Sequence, residues 1–190
     1  MVPILRPIAL FLALGVCAAR ADLDLTPTAD SHTLDGMTVS YLTFHDGGTA
    51  IKYQPPRGWI CEGSHDSAML SIRDHPQASA FIRSAPQLRV PALDAKAAKL
   101  FQDKPALLQL PKGAKDVTIT AVTPDPLIID GHHTLEVDLT YSFFGQSCAR
   151  GILLMDRKGA EVSFVLDCMA PDFGMLETQF RRSLYSFENL

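Results

Sequence analysis

The sequence predicts an α+β fold, a mainly antiparallel β-sheet flanked by a central and a C-terminal helix. Three patterns predict it. From Thr134 to Phe144, the residues Leu135, Val137, Leu139, Tyr141 and Phe143 alternate with Glu136, Asp138, Thr140 and Ser142, the period of a strand with one buried and one wet face. Between Leu93 and Asp103, the residues Leu93, Ala97, Leu100 and Phe101 share one helical face, with Lys96 and Lys99 outside the stripe. Phe173, Leu176, Phe180, Leu184 and Phe187 step by three or four residues and give a C-terminal helix with an apolar stripe.

The other elements follow from turn chemistry. Two short runs, TVSYLTF and AIKYQ, flank His45-Asp46-Gly47-Gly48, where the Asp-Gly step favours a hairpin. Pro55-Pro56-Arg57-Gly58 breaks the chain before Trp59, and the strands Ala68 to Arg73 and Ala78 to Arg83 are separated by Asp74-His75-Pro76-Gln77. The helical segment closes with an apolar turn from Pro105 to Leu110. Val117 to Val122, Leu127 to Asp130, Thr134 to Phe144, Cys148 to Met155 and Glu161 to Cys168 read as strands.

The opening residues set the expected address. Arg6, an apolar stretch from Ile8 to Ala19 and the small-x-small triplet Ala19-Arg20-Ala21 read as a secretory signal over residues 1–21, too short to span a bilayer. Residues 22–35 are polar and aperiodic and read as an extended or mobile lead-in, and 36–190 as a single domain. A rival reading takes Leu14-Gly15-Val16-Cys17 as a lipobox, which makes Cys17 a lipidated terminus and the only route to a membrane. The product is expected in the periplasm or outside the cell.

Charge argues against nucleic acid as partner. Arg6 and Arg20 leave with the leader, so 15 basic residues face 21 acidic ones, a net charge of −6. Phosphate backbones need clustered Lys and Arg, whereas Lys96, Lys99, Lys104, Lys112 and Lys115 are dispersed along a helix and its exit loop.

The order of elements resembles the PsbP-like family, which includes the extrinsic photosystem II subunit and a Ran-binding nuclear transport factor. The residues that carry the resemblance are Pro56-Arg57-Gly58-Trp59 entering a strand, the central amphipathic helix, the alternating strand ending in Tyr141-Ser142-Phe143-Phe144-Gly145, and the terminal pattern from Leu176 to Phe187. The resemblance implies an α/β/α sandwich over residues 36–190 and a non-enzymatic binding role, with no functional residue carried over.

Cysteine and histidine are the residues to test for chemistry. Loss of Cys17 with the leader leaves Cys61, Cys148 and Cys168, and export permits a disulfide. If the last hairpin has the three-residue loop Arg157–Gly159, Asp156 faces Ala160. Cys148, eight residues before, then faces Cys168, eight residues after, at the ~5.5 Å Cα spacing a disulfide can bridge. A bulge at Gly151 shifts that register and leaves Cys61 as partner to either, and two buried thiols are the plain alternative. None of the six histidines has ligand spacing: Cys61-x3-His65 supplies two ligands at most, and His132 and His133, adjacent at a turn, point apart. No cofactor or metal set is expected.

Trp59, Cys61, Ser64, His65 and Asp66 form the surface segment most worth following. Gly63-Ser64-His65-Asp66 holds three triad residue types in a row, but a working triad converges from separate elements. The expected function is an exported, non-enzymatic binding protein for an unidentified protein or small ligand. The alternatives are a small extracytoplasmic hydrolase using His65 with Ser64 or Asp66, and a lipid-anchored envelope component.

Overall fold

The computed structural model describes residues 23–87, 89–90, 93–94, 96–157 and 159–190. The leader and Cys17 lie outside them. The described chain runs β1 (Leu23–Leu34), β2 (Met37–Asp46), β3 (Thr49–Tyr53), β4 (Trp59–Ser64), β5 (Ser67–Ile72), β6 (Ser79–Ala85), α1 (Ala97–Asp103), a 3₁₀ turn (Pro105–Leu108), β7 (Lys115–Pro124), β8 (Thr134–Phe143), β9 (Gln146–Arg157), β10 (Ala160–Met169), α2 (Phe173–Leu184) and β11 (Glu188–Asn189). The class is α+β, with antiparallel pairing throughout. There are two sheets where one was expected: a seven-stranded sheet in the order β4-β5-β6-β10-β9-β8-β7 and a four-stranded sheet in the order β1-β2-β3-β11.

Two apolar layers hold the sheets. Leu176, Phe180, Leu184 and Phe187 pack with Leu70 and Ile82 from β5 and β6, Phe164 from β10, and Phe44, Ile51 and Tyr53 from the small sheet. On the opposite side of β9 and β10, Ala97, Phe101 and Leu108 pack on Leu135, Val137, Leu139, Ile152, Leu154 and Val165. The alternation of Leu153 and Met155 with Ile152 and Leu154 sends neighbouring residues of β9 into different layers. Buried Arg150 fixes the second layer. It pairs with Asp167 and donates to the Leu108 carbonyl at 3.3 Å, while the Tyr141 hydroxyl donates to Asp167 Oδ1 at 2.6 Å.

Four further expectations need correction. The stretch read as a lead-in is β1: it pairs with β2 from Leu23↔Asp46 to Leu34↔Met37 through the turn Asp35-Gly36, both with positive φ (50° and 78°). Leu23 and Leu25 anchor it in the core. Leu127 to Asp130 is not a strand but a tight turn closed by the single bridge Ile129↔His132. The polar face of β8 is not wet, because α2 covers it and Glu136 is only 6% exposed.

The fourth correction concerns the cysteines. The β9–β10 loop has two residues rather than three, so Arg157 faces Ala160 and the register moves by one: Cys168 faces Ala149, and Cys148 faces Met169. A one-residue offset sends the two side chains to opposite faces. Cys168 accordingly lies in the α2 layer and Cys148 in the α1 layer, and Cys61, Cys148 and Cys168 are all free thiols.

One glycine is required where the sheets meet. β1 crosses β4 at Gly63, where an added Cβ would overlap the Leu25 carbonyl oxygen and sit 2.9 Å from Pro27 Cδ. Leu25 N–H also donates to the His65 carbonyl at 3.0 Å, so the crossing is tied on both sides. Gly63→Ala is expected to cost about 1–3 kcal/mol through this overlap, read as a lower denaturation midpoint with an unchanged m-value.

Candidate functional site: a cleft beneath the β1–β2 ribbon

The site begins with a strand entry. Pro55 and Pro56 cannot continue a ladder, Gly58 takes a φ of 85°, and Trp59 N–H donates to the Pro56 carbonyl at 3.1 Å, so the chain turns sharply into β4. The period of two then puts Trp59, Cys61 and Gly63 on one face. The Trp59 indole stacks on Phe180 of α2, with centroids 5.8 Å apart and planes 17° apart, and is 8% exposed. Gly63 lets β1 pass over the far end of β4, and from there the β1–β2 ribbon diverges from the sheet. Between ribbon and strand lies a recess of about 480 Å³, walled by Trp59, Cys61, Pro55, Tyr41 and Leu42 with Ser31 and Ser40 on the ribbon side and Asp30 at its rim. That volume suits a small organic molecule.

Its chemistry favours holding a ligand over transforming one. Burial first, and then the neighbouring Glu62 charge, push the Cys61 thiol up to about 11, so it stays protonated and is a poor nucleophile near neutral pH. Burial and the Asp30 carboxylate raise Tyr41, whose hydroxyl stays neutral and is engaged with Asp30 on the outer face of the ribbon. Trp59, Leu42 and Pro55 with a few hydroxyls offer an open recess that can hold the apolar part of a small molecule, whereas the Tyr41 ring lies beside His32 on the other face of the ribbon.

Of the five sequence-predicted surface residues, the structure brings two into this recess and leaves three out. Ser64, His65 and Asp66 form the exposed β4–β5 turn, beyond Gly63. Their structural work is done by backbone carbonyls: His65 accepts from Leu25, and Asp66 accepts from Ser84 N–H at 3.1 Å. Ser64 and His65 make no side-chain hydrogen bond to each other among the described residues. His133 pairs with Asp125 (2.9 Å) and His75 with Asp172 (3.4 Å), both at partly or fully exposed turns. Among the described residues no group of three or more His, Cys, Asp or Glu is placed to hold a metal ion.

A second feature was hidden in the sequence. Glu136 and Asp138 point from β8 toward α2, where Arg181 Nη1 lies 3.3 Å from Glu136 and 3.1 Å from Glu177 and Nη2 donates to the Pro126 carbonyl. Burial raises Glu136 to about 7, helped by Asp138 and opposed by Arg181. Burial and then Glu177 raise Asp138 to about 6, again against Arg181. Asp138 Oδ1 has no hydrogen-bond partner and stands over Gly151, where a Cβ would come within 3.2 Å of it. One guanidinium thus serves three carboxylates under a helix. Near-neutral carboxylates often mark reactive centres, but here Arg181 is already paired with Glu136 and Glu177.

No helix of the described residues is long and apolar enough to cross a membrane. No protein-family model matches the chain, and no curated protein matches it. Among solved structures, it is similar to PA94, a protein of unknown function from Pseudomonas aeruginosa (11% identity, TM-score 0.48, covering 83% of this chain and 94% of that one). It is also similar to the cyanobacterial PsbP of Synechocystis sp. PCC 6803 (14% identity, TM-score 0.46, 92% and 97% covered) and to Mog1 (11% identity, TM-score 0.45, 84% and 88% covered).

Proposed function

We propose that this chain is an exported, non-enzymatic binding protein of the PsbP-like type that holds a small, largely apolar, uncharged molecule in the cleft between the β1–β2 ribbon and β4. The observation that carries the reading is the cleft itself: an open recess of about 480 Å³ with Trp59 on one wall, furnished with hydroxyls, and containing a thiol that stays protonated. Coverage of the seven-stranded sheet by α1 on one face and α2 on the other supports the α/β/α arrangement that the sequence resemblance implies.

A thermal-shift screen of neutral aromatic and alicyclic compounds tests the cleft. Compounds that raise the melting temperature of the wild type are expected to lose that effect with Cys61→Phe, which fills the recess from one wall. Hits that stabilise the filled variant equally well bind elsewhere and defeat the reading. Export has its own test, the intact mass of protein recovered from the native host. A chain starting at Asp22 is expected, whereas a diacylglyceryl group on Cys17 identifies a lipid-anchored protein and an unprocessed Met1 refutes export.

A further inference from the structure

The outer half of the β1–β2 ribbon has no covering layer. β3 pairs with β2 only from Leu42 to Asp46, so residues 28–34 and 37–41 pair with each other alone. Residues 28–33 are exposed on both faces of the strand. β1 is also the last strand of its sheet, leaving the outer edge of this segment open. A two-stranded ribbon is marginal in water by itself, and natural edge strands are usually blocked by lysine, proline or a bulge. Between Thr28 and Leu34 there is no lysine and no proline, the register is unbroken, and Asp30 is the single acidic or basic charge beside His32.

The direction of the free backbone groups can be read from one bond. Ser31 N–H is not spent on β2 but donates to the local Asp30 Oδ1 at 2.7 Å, so Ser31 turns its N–H and C=O outward. Alternation makes Ala29 and Thr33 outward as well. Ser31 is also the midpoint of residues 28–34.

We propose that this edge is a homodimer interface, in which β1 pairs antiparallel with β1 of a second copy about a two-fold axis through Ser31. The axis makes Ser31 face its own counterpart, with each N–H donating to the other's carbonyl, and it sets Ala29 opposite Thr33 in the same hydrogen-bonded class. Between them it brings Asp30 opposite His32 of the other copy, twice by symmetry, in the close non-hydrogen-bonded class where Cα atoms are ~4.5 Å apart. An imidazole N–H then donates to a carboxylate across the interface. The Asp30 carboxylate exchanges its local bond to Ser31 for this one, which frees Ser31 N–H for the ladder. The outer edge of β2 offers no such match, since a two-fold axis through Val39 places Ser40 opposite Thr38 and Tyr41 opposite Met37. Two ribbons become a four-stranded sheet, extended in the plane of the ribbon, while the cleft opens on its face. The interface is small, so a weak dimer is expected, with Kd roughly in the micromolar range.

Sedimentation velocity over a concentration series tests this on protein produced from the full 190-residue sequence. The wild type is expected to pass from monomer to dimer. Ser31→Pro removes an outward N–H without touching the β1–β2 ladder. It should keep the wild-type melting temperature and circular dichroism yet weaken the dimer by roughly a hundredfold, through two lost ladder bonds and crowding at the axis. His32→Asp places like charges opposite each other and should raise Kd roughly tenfold, while the swap of Asp30→His with His32→Asp should return it to within roughly threefold of wild type. A chain that stays monomeric at ~1 mM, or a dimer indifferent to both Ser31→Pro and His32→Asp, overturns the proposal. If Ser31→Pro fails to fold, the charge swap decides alone: no recovery in the swapped variant overturns it too.

Discussion

Arg157→Ala is expected to destabilise the protein by about 3–5 kcal/mol, the usual consequence of removing one partner from a buried ion pair. Arg157 ends β9 with only 5% of its side chain exposed. Its Nε lies 3.0 Å from Asp46 of β2, its Nη2 donates to Asn189 of β11 at 2.7 Å, and its Nη1 is 3.5 Å from Asp130 in the turn after β7. One guanidinium therefore joins the seven-stranded sheet to two strands of the small sheet and to the Ile129–His132 turn. Asp46 and Asp130 are only 10% and 19% exposed beside Arg157, so without it two poorly solvated carboxylates lose their shared cation and repel each other. Arg157→Lys should recover only part of the loss, because a point charge cannot reach three acceptors in a fork. Urea denaturation at neutral pH checks both variants, and a loss under ~1 kcal/mol for Arg157→Ala would mean that the sheets are joined by apolar packing alone.

Raising the pH from 4.5 to 8 is expected to weaken the wild type relative to Glu136→Gln, leaving the variant on the order of 2–3 kcal/mol more stable at pH 8. The sign follows from the direction of the shift. Glu136 ionises near 4.5 when unfolded and at about 7 when folded, so the unfolded chain releases its proton first. Stability linked to this group is full below about pH 4.5 and is lost as pH rises to about 7, with no further loss beyond. Asp138, raised from 3.8 to about 6, acts in the same direction over a lower window. Arg181 limits the effect without cancelling it, since it is shared with Glu177. Denaturation midpoints of the two proteins taken at half-unit pH steps check this. Parallel curves would show that Arg181 fully compensates Glu136.

Both effects depend on features that local sequence pattern could not display. The alternation over Thr134–Phe143 located β8 correctly, because a buried apolar face needs every second residue. Pattern in one strand does not say what covers the polar face. That depends on α2 lying against it and on Arg181 falling over Glu136, a contact between residues 45 positions apart. The α2 stripe was legible for the same reason as β8: Leu176, Phe180 and Leu184 are buried, while Phe187, expected on the same helix, is buried beyond its end at Leu184. β1 was missed because a ribbon exposed on both faces has no hydrophobic period. The available signal was Asp35-Gly36, a pair suited to a two-residue hairpin turn. The last hairpin shows how far a local choice can propagate: Gly159, at a φ of 81°, fits loops of either length, and one residue of difference moved Cys148 and Cys168 to separate layers.

The candidate site was half legible. Trp59 next to Gly58 and Cys61 two residues on shared a strand face, which sequence could indicate. The opposite wall comes from residue 31 of β1, the strand that carried no pattern, and from residues 40–42 of β2, whose strand was legible but whose place over β4 was not. Ser64, His65 and Asp66 drew notice for their residue types, yet they fall past Gly63, where the crossing of β1 ends the cleft.

Trp59 is the single tryptophan of the chain, so its emission reports on the cleft without competing signals. The most direct measurement is a fluorescence titration of the wild type with each compound that passes the thermal screen, compared with the affinity from calorimetry. The cleft account predicts a saturable change in Trp59 emission at the calorimetric Kd, absent in Cys61→Phe. Tight binding that leaves Trp59 emission unchanged would contradict it.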